Sequence, residues 1–327
     1  MLVASRGVFA RHTGRVAPPP VIDIAELRAS PHPPHSLVAA IDAACTEVGF
    51  FVVTGHGVES QVDDVFGAAH ALFALPETTK EAVAMVDRQG FVPARHLVLD
   101  RGLHSAPAEY YDVGRRGEGR WPSPTDLPSF RRVVTDYQRA VLDVADDLLR
   151  ALAAALDVAP TFFADRMRDP QCFLRMFHYE AHQAAAGDAP TVLTDPHTDY
   201  GLITLLATDG VAGLEVRPLG GEWTMVEAPA RSLIVNLGDM LARWTNDRYM
   251  STPHRVSSPP SSDRYSVPFF VNPDPTTTVS CLPACVSADR PCRYQPVTAS
   301  EFLAQRIAAG GYMSTTTGDA SHDVMPG

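Results

Sequence analysis

After about residue 170 the chain breaks into short β-rich runs separated by turn residues, and no other feature restricts its possible folds as strongly. "CFLRMFHY", "GLITLLAT", "GLEVRPL", "EWTMVEA", "SLIVNLG", "HRVSS", "RYSVPFFVN" and "TTTVSCL" follow one another, with Gly, Pro, Asn or Asp between most of them. Many short strands punctuated by turns are the signature of an antiparallel β-sandwich or barrel.

The first half has a different texture. "VIDIAEL" (21–27) reads as a short strand and a turn. "SLVAAIDAACTEVG" (36–49) reads as a helix that Ser36 can cap and Gly49 can end. "FFVVTGHGV" (50–58) is a buried strand with a glycine-rich exit, and "ESQVDDVFGAAHALFAL" (59–75) has helical periodicity up to Pro76. Residues 86–128 are rich in Gly, Pro and Arg and read as mostly loop. Phe130, Val134, Tyr137, Val141, Val144, Leu148 and Leu152 recur at threes and fours, which predicts a long amphipathic helix. A closing helix, "ASEFLAQRIAAGG" (299–311), packs on the outside. The expected organisation is a tail (1–20), a mixed helical region (21–165) and a β core with its helix (166–327), forming one integrated unit. No internal repeat or low-complexity block is present.

Charge and composition exclude several classes. A length of 327 residues, 45% of them hydrophobic, supports a sizeable core. The formal net charge of -11 argues against nucleic-acid partners and anionic membrane surfaces. No apolar run reaches the length of a membrane span, and the N-terminal stretch lacks a secretory h-region. Cys45, Cys172, Cys281, Cys285 and Cys292 are odd in number and scattered, which reads as reduced thiols in a cytoplasmic protein. Cys281 and Cys285 make a C-x3-C pair, but no second pair stands at zinc-site spacing.

The chemistry begins in "TDPHTDYGLITLL" (194–206), where His197 and Asp199 precede an apolar run. Residues two apart in a strand face the same side, so imidazole and carboxylate can converge on one metal. With 12 histidines in the chain, about one His-x-acid match is expected by chance, and His178-Tyr179-Glu180 is a second. Downstream, "STPHRVSSPPSSDRYSVPFF" supplies His254, Arg264 and Ser266. Two histidines and a carboxylate on one face of a metal leave three positions open, the facial triad of non-haem iron(II) oxygenases. Arg264 and Ser266 again share a strand face, and a guanidinium with a hydroxyl grips a carboxylate.

At this point the chain resembles a known family, the iron(II)/2-oxoglutarate-dependent dioxygenases of the isopenicillin N synthase-like group. "PPVIDIAEL", "ACTEVGFFVVTGHGV", "HTDYGLITLL", "NLGDMLARWTNDRYMSTPHRV", "RYSVPFF" and "CLPACV" carry the likeness over nearly the whole chain. The resemblance implies a double-stranded β-helix (jelly roll) core, mainly β with flanking helices. It implies iron(II), 2-oxoglutarate and dioxygen, with His197, Asp199 and His254 as both metal ligands and catalytic residues. Arg264, Ser266 and Tyr179 are implied as the holders of 2-oxoglutarate. The implied reaction oxidises an unactivated C–H bond of a small molecule by hydroxylation, desaturation or cyclisation, and releases succinate and carbon dioxide. Phe177 and Glu180 depart from the asparagine and proline that many members carry, and Phe177 cannot offer an amide to the cosubstrate.

Other polar residues receive structural readings. His178 is expected to be packed, His56 to hold a structural hydrogen bond, Asp195 to sit in a turn and Asp239 to cap a short helix. Trp244 belongs to the core and Asn246 to a turn. Arg95 and Arg101 are alternatives for pairing a substrate carboxylate. Three rivals stand beside the main reading: an isopenicillin N synthase-type oxidase, in which an Arg-x-Ser pair holds the substrate instead; an ethylene-forming enzyme; and a non-catalytic binding protein on the same fold.

Overall fold

The computed structural model describes residues 18–30, 32–94, 108–181, 191–258 and 262–309. In chain order the elements are β1 (Val21–Asp23), α1 (Ala25–Ala29), α2 (His35–Glu47), β2 (Phe50–Thr54), α3 (Glu59–Phe73), α4 (Glu77–Glu81), β3 (Gly90–Val92), β4 (Ala108–Val113), α5 (Phe130–Ala155), β5 (Phe173–Tyr179), β6 (Thr191–His197), β7 (Ile203–Thr208), β8 (Leu214–Val216), β9 (Thr224–Met225), β10 (Leu233–Leu237), α6 (Asp239–Trp244), β11 (His254–Ser258), β12 (Arg264–Val271), β13 (Thr278–Val279), β14 (Val297–Thr298) and α7 (Ala299–Ala309).

An eight-stranded sheet runs in the order β1-β2-β10-β7-β12-β5-β4-β3, and a four-stranded sheet in the order β6-β11-β8-β9. Phe50, Val52, Ile234 and Tyr179 of the large sheet pack with Leu193, Leu214, Val216 and Val256 of the small one in a single apolar cluster. The sheets therefore close face to face as a jelly roll. The opposite face of the large sheet carries Leu174, Met176, Leu205, Val235, Val267 and Phe269, which join the buried stripe of α5 (Val141, Val144, Leu148, Leu152) in a second cluster. The 3.6-residue period of α5 thus covers one face of the sheet and leaves the other to the interior of the roll.

Several expectations change. The segment 86–128, expected as mostly loop, holds β3 and β4. β4 escapes sequence reading because its run "AEYYDV" includes two acids, Glu109 and Asp112, which are buried and paired. β6 also escapes, because a proline inside a run argues against a strand. Here β6 is an edge strand, where Pro196 removes no interior ladder bond. A short helix, α1, replaces the turn after β1. Ser36 does not cap α2, which starts one residue earlier on Pro34 without a side-chain cap. Gly49 does end that helix: its φ is +72°, and a Cβ there would lie 2.3 Å from the Met250 carbonyl oxygen.

The five-thiol expectation is corrected. Cys281 and Cys292 form a disulfide across 11 residues, while Cys45, Cys172 and Cys285 are buried free thiols. The loop between β13 and β14 folds back to bring the two Cα atoms to 5.9 Å, a proximity that spacing alone does not disclose.

Candidate metal centre

His197 is the last residue of β6, and His254 opens β11 directly opposite it in the antiparallel register. Asp199 follows in the connection that carries the chain from the small sheet to the large one. The convergence is thus cross-strand pairing plus a sheet crossing, rather than two alternate positions on one strand; β7 begins only at Ile203. Asp199 Oδ1 lies 3.9 Å from His197 Nε2 and 3.8 Å from His254 Nε2. The two imidazole centroids are 4.2 Å apart.

Each ligand is aimed by a neighbour. His197 Nδ1 donates to the Asp195 carbonyl at 2.8 Å and His254 Nδ1 to the Thr252 carbonyl at 3.2 Å, which leaves both Nε2 lone pairs facing Asp199. Asp195 therefore lies within β6, not in a turn, and serves through its backbone. Asp199 Oδ2 accepts from Thr204 Oγ1 at 2.5 Å and Asn236 Nδ2 at 2.7 Å, which leaves Oδ1 for a cation. Burial pushes the Asp199 carboxyl up, but His254, His197 and these two donors outweigh it and hold it below the usual carboxylate range. Burial and the adjacent His197 push His254 below the ordinary imidazole value, against the pull of Asp199. A carboxylate and neutral imidazoles form the donor set a divalent metal requires. Two nitrogens, one oxygen and fixed tautomers fit iron(II) with open positions.

A second polar group lies on the inner wall of the large sheet. Arg264 is 1% exposed, and its Nε and Nη1 have no hydrogen-bond partner among the described residues. A buried guanidinium with unsatisfied N–H groups is costly and calls for an acceptor, best an anion. Ser266 lies two residues along β12 on the same face, and Tyr179 stands opposite Arg264 in register, its ring centroid 5.4 Å from the guanidinium carbon. The Tyr179 hydroxyl lies 3.2 Å from Thr194 Oγ1. Arg264, Ser266 and Tyr179 are therefore brought together.

Comparison with known proteins agrees with this geometry. Residues 170–273 match the 2OG-Fe(II) oxygenase superfamily, and residues 19–122 match the family described as non-haem dioxygenase in morphine synthesis N-terminal. Over 288 residues the chain is 33% identical to a 2-oxoglutarate-Fe(II) type oxidoreductase of Emericella nidulans, with 82% of each chain covered. The chain belongs to the 2OG-Fe(II) oxygenase superfamily. This oxygenase is also 32% identical over 290 residues to a homoarginine-6-hydroxylase of Glycine max, covering 80% of this chain and 88% of the other. Its fold matches that of a full-length Neurospora crassa protein crystallised in complex with alpha-KG and thymine, at a TM-score of 0.78 and 25% identity, covering 89% and 96% of the two chains. It is accordingly an enzyme, an iron(II)- and 2-oxoglutarate-dependent dioxygenase.

The remaining sequence expectations find definite places in this oxygenase. Phe177 stacks on Tyr179 at 5.4 Å and lies beside Ser266 in register, so an aromatic ring stands where an amide is common in the family. Glu109, His178 and Glu180 also place donor atoms within 4.8 Å of one another. The Lys80 ammonium already lies 2.6 Å from Glu109, and His178 Nδ1 lies 2.8 Å from the same carboxylate. A resident cation thus occupies that cluster, and His178 is packed against Tyr265, their centroids 4.5 Å apart. His56 is fully buried: it accepts the Val58 amide at Nδ1 and donates from Nε2 to the Arg231 carbonyl at 2.9 Å. Asp239 is the first residue of α6 rather than its cap; it accepts from Thr198 and pairs with Arg306 of α7. Arg95, His96, Arg101 and His104 lie outside the described residues. Sequence reading missed Thr204 and Asn236, although each is a polar residue inside an apolar run, "LITLL" and "LIVNL".

Proposed function

We propose that His197, Asp199 and His254 hold iron(II), and that Arg264, Ser266 and Tyr179 hold the distal carboxylate of 2-oxoglutarate, for oxidation of a small-molecule C–H bond. One observation carries this reading: a buried guanidinium on the large sheet, whose Nε and Nη1 have no hydrogen-bond partner among the described residues, in a roll whose small sheet carries the two histidines. When bound, iron and 2-oxoglutarate supply an oxidant able to attack an unactivated C–H bond, with succinate and carbon dioxide released.

The chain's own residues do the rest. Thr204 and Asn236 hold one carboxylate oxygen of Asp199 and so orient the other. The Asp195 and Thr252 carbonyls keep each imidazole in the tautomer that offers Nε2. The inner apolar cluster around Phe50, Tyr179 and Ile234 backs the site on the His254 side. Rigid strands fix Arg264 and Ser266 at a set distance from the metal donors.

The relatives support a small molecule as substrate: one is named for homoarginine and one structure holds thymine. The finer placement within the isopenicillin N synthase-like group rests on the motifs quoted above. A single catalytic unit is supported by the way β1–β4 share one sheet with β5, β7, β10 and β12. A cytoplasmic location has the three buried free thiols in its favour and the Cys281–Cys292 disulfide against it. Among the described residues no helix is long and apolar enough to cross a membrane.

The test is stoichiometric. Protein supplied with iron(II), 2-oxoglutarate and dioxygen is expected to form succinate, and Asp199→Ala to abolish it. Dioxygen uptake with oxidised product but without succinate would instead indicate the oxidase that does not use 2-oxoglutarate.

A further inference from the structure

His197 and His254 are fixed by strand pairing, but Asp199 is not: it lies in the connection 198–202 between β6 and β7. Backbone groups outside a ladder must find other partners, and here they find them in the first residues of α6. The Asp239 N–H donates to the Asp199 carbonyl at 2.8 Å, and the Met240 N–H reaches the Tyr200 and Gly201 carbonyls at 3.2 and 3.1 Å. The Gly238 N–H donates to the Leu202 carbonyl at 3.0 Å. The first N–H groups of a helix have no partner within it, so the start of α6 and the ligand-bearing connection complete each other. The approach is close: a Cβ on Gly238 would stand 2.2 Å from the Gly201 carbonyl oxygen. Thr198, the single residue between His197 and Asp199, donates from its hydroxyl to Asp239 Oδ2 at 3.3 Å. Asp239 thus holds the connection twice, by backbone and by side chain.

Asp239 is in turn paired with Arg306 of α7. The same guanidinium covers the ring of Tyr200, its carbon 5.0 Å from the centroid. One side chain therefore touches both the residue after Asp199 and the residue that anchors Asp199. The two side chains are 39% and 18% exposed, so the pair is partly shielded from salt and solvent. α7 needs this contact as well. It has 11 residues, and a helix of that length is marginal in water by itself. Ala299, Phe302 and Leu303 pack its start on the core, and beyond them Arg306 and Ile307 are the residues that are partly covered. Two elements that share one tie support each other, and such coupling is reciprocal.

We infer that Arg306 is a positioning residue for the metal centre: acting through Asp239 and Tyr200, it holds the connection that carries Asp199 in place, so that metal binding and docking of α7 reinforce each other. The inference rests on the metal site proposed above.

The experiment uses the full chain under anaerobic conditions, with iron(II) as the probe. Iron affinity is measured by competition with a chelator, and amide hydrogen exchange of α7 is measured with and without iron. In the unmodified protein iron is expected to slow exchange in the second half of α7. Arg306→Gln, which removes the charge, is expected to weaken iron binding about fivefold and to abolish the iron-dependent protection. Arg306→Lys is expected to recover part of both. A residue that served stability alone would lower the melting temperature of metal-free and iron-loaded protein alike when replaced, and iron affinity would not change; that result overturns the inference. Exchange of α7 that is indifferent to iron, in unmodified protein that binds it, overturns the inference too and needs no variant. Unmodified protein that binds no iron overturns the metal assignment and this inference together.

Discussion

On β5, Met176 is sealed against the helix-covered side of the sheet, while Arg175 and Phe177, its immediate neighbours, face the interior of the roll and stay partly exposed. The same contrast extends across the sheet. One face collects Leu205, Val235, Val267 and Phe269 against α5. The other carries Arg264, Ser266 and the Arg175–Asp112 pair, with Thr204 and Asn236 on Asp199 of the metal donor set. Alternation along each strand therefore divides the labour: odd and even positions of one run serve stability and chemistry separately. Substitutions one residue apart should have effects of different kinds.

The largest effect is expected on the inner side. Asp199→Ala removes the only carboxylate of the triad, so iron binding measured by metal content should fall to background, with the fold retained by circular dichroism. A variant that kept stoichiometric iron would break the assignment. On the outer side, Met176→Ala should destabilise the protein by about 2–5 kcal/mol in chemical denaturation, with 2-oxoglutarate affinity at low temperature unchanged. A loss of affinity without loss of stability would mean that the faces are not separate. Asn236→Ala should sharpen the inner side, because it frees Oδ2 of Asp199. Iron affinity should drop about 10–100-fold in a competition titration with a chelator, and no change would demote that hydrogen bond.

The smallest effect concerns pH and the cluster beneath α3. Burial acts to lower the His178 pKa, but Glu109 and Asp263 outweigh it and the net shift is upward. A raised folded-state value means that the His178 contribution is complete below about 6.5, the unperturbed histidine value, and is lost as pH rises through the folded value. Thermal stability should therefore decline across that window, and His178→Gln should flatten the decline. An identical pH profile in the variant would exclude the Glu109–His178 pair as its source.

The candidate site was legible because its residues come in short local patterns: His197 with Asp199, Arg264 with Ser266, and His254 in a β-rich run of its own. The family motifs then ordered them. The partners that aim those ligands were not legible, because they are cross-strand contacts. Asn236 reaches Asp199 over 37 residues and Arg175 reaches Asp112 over 63, and a sequence without strand register does not pair them. β4 and β6 were lost for opposite reasons, buried acids that mimic a polar loop and a proline that an edge strand tolerates. The disulfide was lost because proximity depends on how the loop between β13 and β14 turns. In each case the missing information is tertiary, and local propensity yields to it.

The measurement that bears most directly on the inner face is an anaerobic titration of iron(II)-loaded protein with 2-oxoglutarate, followed by its visible charge-transfer band, with Arg264→Ala alongside. A saturable band in the unmodified protein, and an apparent dissociation constant raised on the order of 100-fold by Arg264→Ala, is the expected result. Bound iron with no band, or a band indifferent to Arg264→Ala, would contradict the assignment of that buried guanidinium to the cosubstrate.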